Sequence, residues 1–85
     1  MPKSTFTDAY ARMLQMLVAL RKDAGVTQVE LSQRLGKPQP FVSNFERGRR
    51  RIDVIEFYAI TKALGADPQQ IFGQLADQLP DIVAI

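Results

Sequence analysis

The sequence predicts an all-α domain of five helices, and three observations carry that prediction. Four of its five glycines, Gly25, Gly36, Gly48 and Gly65, each follow a segment with three- and four-residue apolar spacing, where a residue without Cβ can close a helix. Capping residues mark the starts of the segments that follow. The chain has 85 residues of which 46% are apolar, enough for one compact core and too few for two, and no strand is needed to account for the rest.

The first helix, about 8–24, carries Tyr10, Met13, Leu14, Leu17, Leu20 and Ala24 as one apolar stripe. The second, about 28–35, opens on Thr27-Gln28-Val29-Glu30, in which the Thr hydroxyl and the Glu carboxylate satisfy amides that helix geometry leaves orphaned; Val26 and Leu31 form the staple beside it. The third, about 39–47, contributes Val42 and Phe45 to the core. The fourth, about 54–64, repeats the capping device with Asp53 and Glu56, staples Ile52 to Phe57, and turns Val54, Phe57, Ile60, Thr61 and Leu64 inward. The fifth, about 68–79, opens on Asp67-Pro68-Gln69-Gln70, with the proline at a position where its missing N–H costs nothing. Its stripe of Ile71, Phe72, Leu75 and Leu79, continued by Ile82 and Val83 in the tail, is either the lid of the same core or a surface for a second copy. These six residues are the candidate dimer interface.

Composition excludes several chemistries. With no Cys and no His, the chain cannot build disulfides, thiolate or imidazole metal sites, Ser-His-Asp triads or Cys-His dyads. No acid-base constellation converges on any segment, so no enzyme, catalytic residue, metal or cofactor is expected. The uncharged run from Met13 to Leu20 is far short of the roughly 20 residues of a membrane span. The opening MPKSTFTDAY has no apolar run behind its lysine and is not a secretory signal. A single soluble cytoplasmic domain over 1–85, acting at the nucleoid, is the expectation.

Charge is unevenly placed. Residues 34–51 hold Arg34, Lys37, Arg47, Arg49, Arg50 and Arg51 against Glu46 alone, a net of +5, while residues 52–85 are net −4. That asymmetry points a polyanion at the middle of the chain and away from its end, although a solvated basic loop has the same composition. Two short helices, about 28–35 and 39–47, joined by a turn opening on Gly36, make a helix-turn-helix outline in which the second helix can enter the DNA major groove. Gln39, Ser43, Asn44 and Arg47 lie opposite Val42 and Phe45 on that second helix.

The stretch from Leu20 to Phe72, with LRKDAGVTQ, ELS, a glycine turn, VSNFERG and ALGA in order, resembles the lambda-repressor-like, Cro-type helix-turn-helix family of bacterial and phage transcription regulators. The resemblance implies that Gln28 touches a DNA phosphate. It implies base reading by Gln39, where an amide can pair bidentately with adenine, and by Asn44, with Ser43 reaching a base or a phosphate. Lys37, Arg47, Arg49, Arg50 and Arg51 are expected on phosphates, the arginine triplet being denser than is usual in the family. Arg21 and Glu46 resemble an ion pair that locks the first helix to the recognition helix, a structural role. Pro38 replaces the usual Ser or Thr cap of that helix. Pro40 and Phe41 replace small polar residues and are expected on thymine methyls or the sugar-phosphate edge.

The expected function is a sequence-specific double-stranded DNA-binding regulator, a repressor acting as a homodimer on a roughly palindromic operator. An antitoxin with a protein partner, a restriction-modification controller, or an interaction module that binds protein instead of DNA are the alternatives. The last predicts weak, sequence-blind affinity for DNA.

Overall fold

The computed structural model describes residues 7–85; residues 1–6, the start of the segment read above as no secretory signal, lie outside the described residues. Five helices follow in order: α1 (Asp8–Asp23), α2 (Gln28–Arg34), α3 (Pro40–Glu46), α4 (Val54–Ala63) and α5 (Pro68–Gln78). The described residues contain no strand.

The caps are those that the residue types dictate. Thr27 and Asp53 each form a full capping box with Glu30 and Glu56. At Asp67 the cap is single, its carboxylate accepting from the Gln69 amide at 3.0 Å. Thr7 opens α1 by accepting from the Tyr10 amide. Gly36 and Gly48 have φ of 66° and 79° and close α2 and α3 with paired reverse bonds: Lys37 N–H to Ser32 and Gly36 N–H to Gln33, then Arg49 N–H to Asn44 and Gly48 N–H to Phe45.

Leu17, Leu31, Val42, Phe45 and Ile60, one or more from each of the first four helices, meet at the centre of the core with essentially no exposure. Three placements differ from the sequence reading. Val54 is 77% exposed although Thr61, about 20° from it around the helix, is fully buried: Val54 is the first residue of α4 and stands two turns before Thr61, at the end of the helix. Ala24 is the exposed C-cap of α1. In the candidate dimer stripe Ile71 and Leu75, one turn apart, are buried against the protein's own core and are not available to a partner. Phe72, about 100° around the helix from Ile71, is 56% exposed; Leu79 and Val83 are half-buried and Ile82 is exposed.

Polar ties fix the helices against one another. Tyr10 of α1 accepts the Ile52 N–H at 3.0 Å, and Arg34 of α2 donates to the Ala63 carbonyl at the end of α4 at 2.8 Å. Buried Thr61 donates to the carbonyls of Phe57 and Tyr58 in the preceding turn, so its hydroxyl enters the core satisfied.

Candidate nucleic-acid interface

Helix α3 takes its orientation from three inward residues. Val42 and Phe45 are fully buried, and Phe41 joins them at 9% exposure with its ring edge-on to Phe45, centroids 5.7 Å apart. The buried Ser32 hydroxyl of α2 donates to the Gln39 carbonyl at 3.2 Å, tying the start of α3 to the helix before it. The helix begins one residue later than its sequence suggested, at Pro40, and Gln39 caps it without a side-chain hydrogen bond. The Phe41 N–H is satisfied instead by the Pro38 carbonyl at 3.0 Å.

What remains on the outer side is Gln39, Pro40 and Arg47, all exposed, with Ser43 and Asn44 half-buried. Ser43 donates back to the Pro40 carbonyl at 3.2 Å. The side-chain amides of Gln39 and Asn44 have no hydrogen-bond partner among the described residues. They present donor and acceptor together, the chemistry that pairs with a base edge.

Beneath this face, Arg21 of α1 grips Glu46, the last residue of α3, with a two-pronged ion pair: Nε to Oε2 at 2.7 Å and Nη2 to Oε1 at 3.1 Å, both side chains at or below a tenth exposed. Arg21 Nη1 also donates to the Val26 carbonyl at 2.9 Å, and Gln28 Nε2 donates to Glu46 Oε1 at 2.8 Å. The network joins α1, the start of α2 and the end of α3. Gln28, expected on a phosphate, is thereby held by its amide nitrogen within the protein.

The three arginines after Gly48 separate into different environments. Arg49 is exposed and has no side-chain partner among the described residues. Arg50 donates to both Glu56 oxygens, at 3.1 and 2.8 Å, and to the Arg51 carbonyl at 3.0 Å, with its guanidinium carbon 4.9 Å from the centre of the Phe41 ring. Arg51 lies 4.1 Å over the Tyr10 ring. The Arg50 fork, and after it the Asp53 amide, hold the Glu56 carboxyl below its ordinary pKa, and Glu56 in turn raises that of Arg50. Lys37 approaches the same Phe41 ring at 5.5 Å.

Residues 17–71 match the family model for the helix-turn-helix. The chain belongs to the lambda-repressor-like helix-turn-helix family, whose members are DNA-binding transcription regulators. It is 46% identical over 46 residues to the HTH-type transcriptional regulator y4dJ of Sinorhizobium fredii, a match covering 54% of this chain and 60% of that protein. It is 32% identical over 71 residues to repressor protein C of Rhizobium phage 16-3, covering 84% of this chain and 26% of the repressor. The chain thus spans less than two thirds of either relative's length. Among solved structures it is similar to an XRE-family like protein from Pseudomonas syringae pv. tomato DC3000, 43% identical with a TM-score of 0.81, covering 85% of this chain and 88% of that one.

Within the helix-turn-helix frame, Phe41 departs from its expected place on DNA: its ring is in the core, because it stands one turn before Phe45 on the inward face. That four-residue spacing was the available signal. Arg50 pairing with Glu56 had none, since the two are joined across a loop and Glu56 already serves as a capping residue.

Proposed function

We propose that this protein is a sequence-specific double-stranded DNA-binding transcription regulator, a repressor acting as a homodimer on a roughly palindromic operator. The observation that carries the reading is the outer face of α3: the Gln39 and Asn44 amides stand unpartnered on a helix pinned from below by the Arg21–Glu46 pair and by Ser32. With α3 in the major groove, Gln39 and Asn44 read base edges, Pro40 and Ser43 pack against them, and Lys37, Arg47 and Arg49 flank the helix at the height of the phosphates. Gln28 supports that contact from the start of α2.

A homodimer needs a surface, and α4 and α5 offer one. Val54, Ile55 and Tyr58 on α4 and Phe72 on α5 are each more than half exposed; Val54, Tyr58 and Phe72 line a cleft of about 690 Å³ together with Met13, Ile52 and Phe57. Four such side chains expose on the order of 400–500 Å² of apolar surface, the size of a functional patch on a monomer and about half of what one partner contributes to a standard interface. A second copy of the chain is its occupant. A two-fold pairing doubles every contact, and Phe72 of each protomer enters the cleft of the other.

Selection of bound fragments from randomised duplexes tests the reading. The expected product is two inverted half-sites with centres about one turn, ~34 Å, apart. Absence of any enriched sequence would make the fold an interaction module and overturn the assignment.

A further inference from the structure

We infer that Arg50 and Glu56 form a clamp that positions the recognition helix, and that Arg50 does not spend its charge on a DNA phosphate. The inference deepens the proposed DNA-binding reading and rests on it. Three observations meet at Arg50. Its fork closes on both Glu56 oxygens at 3.1 and 2.8 Å, its plane approaches Phe41 at 4.9 Å, and Nη1 also holds the Arg51 carbonyl at 3.0 Å. Phe41 belongs to α3 and Glu56 to the first turn of α4, so one guanidinium bridges the helix offered to DNA and the helix behind it.

Glu56 is committed from its other side as well. Its Oε1 accepts the Asp53 N–H at 2.9 Å, and the Asp53 carboxylate accepts the Glu56 N–H at 2.7 Å. The chain Asp53, Glu56, Arg50, Phe41 therefore runs from the α4 cap to the α3 core. It spans the basic loop from Arg47 to Arg51 and sets where Arg49, the unpartnered cation beside it, projects. A free surface arginine would gain from a phosphate what it here gains from Glu56; leaving the pair would uncover the Phe41 ring and abandon a carboxylate next to the polyanion. Arg and Lys are not equivalent in this role, because only the planar fork can stack on the ring and engage both oxygens.

Two charge-conserving or near-isosteric variants separate a clamp from a phosphate contact. Arg50→Lys keeps the charge and loses the fork; Glu56→Gln keeps an acceptor for the Asp53 amide and releases Arg50. The clamp predicts that each weakens binding to the selected duplex by roughly threefold to tenfold. It also predicts that Arg50→Ala leaves the salt dependence at the wild-type slope, whereas Arg49→Ala flattens it by about 0.9; an equal flattening in Arg50→Ala would make Arg50 a phosphate ligand and overturn the clamp. Wild-type affinity for the selected duplex in Arg50→Lys would overturn it, since a fork that positions α3 is not replaced by a point charge without loss. The DNA-free protein supplies a second readout. Amide hydrogen exchange at Val42 and Phe45 is expected to quicken in both variants, and unchanged protection would contradict the clamp. That measurement holds even if no duplex is selected, so failure of the clamp and failure of the DNA-binding reading are told apart. Should Glu56→Gln not fold, Arg50→Lys decides alone.

Discussion

At the scale of single residues, the Arg21–Glu46 pair fixes where α3 sits, and its geometry says how it will fail. Glu46 accepts from Arg21 twice and from Gln28 once, with little water near either charge. Removing one partner leaves the other buried without compensation, a situation that costs about 3–5 kcal/mol. Glu46→Ala is therefore expected to lower the free energy of unfolding in urea by about that amount; a loss below about 1 kcal/mol would place the pair among ordinary surface bridges. The pairing entered the sequence reading through family resemblance, because residues 25 positions apart carry no local signal of contact. Phe41 shows the opposite case, in which its spacing to Phe45 was legible but its position in the family pattern suggested DNA.

At the scale of elements, local chemistry was enough for most of the fold. Each glycine that ends a helix has positive φ, and Thr27 and Asp53 cap as their neighbours at the third helical position require. The fifth helix was legible as a helix but not in its use, since Ile71, Phe72, Leu75 and Leu79 span about 100°, one ordinary apolar face, and nothing in the spacing says which edge of it meets the core. Only the packed structure separates its buried edge from its exposed one. Gly36 allows a test at this scale. A Cβ there would meet nothing within 4 Å, so a side chain costs only the left-handed backbone. Gly36→Ala is expected to destabilise by about 1–2 kcal/mol in thermal or urea unfolding, with Gly36→Asn costing less. Equal stability of Gly36→Ala and wild type would contradict the turn geometry that links α2 to α3.

At the scale of the whole molecule, the chain sorts its surfaces. The α3 face with its flanking cations carries unpartnered polar groups, whereas the α4–α5 face carries Val54, Ile55, Tyr58 and Phe72. No described helix is long and apolar enough to cross a membrane. The charge asymmetry of the sequence located the first face; the second escaped it because Val54 looked like core and Tyr58 and Ile55 fit no stripe. If two copies pair through that second face, Ile55→Asp combined with Phe72→Asp is expected to convert a dimer to a monomer in sedimentation velocity without loss of helicity. Affinity for a full operator should fall while that for one half-site stays. A wild-type monomer at micromolar concentration would contradict the pairing.

Base reading by the outer side of α3 is tested by the affinity of Gln39→Ala for a selected duplex and for a scrambled duplex of equal length and salt. Base reading by Gln39 predicts a loss of ~1–3 kcal/mol on the selected duplex and none on the scrambled one. An equal loss on both would contradict it.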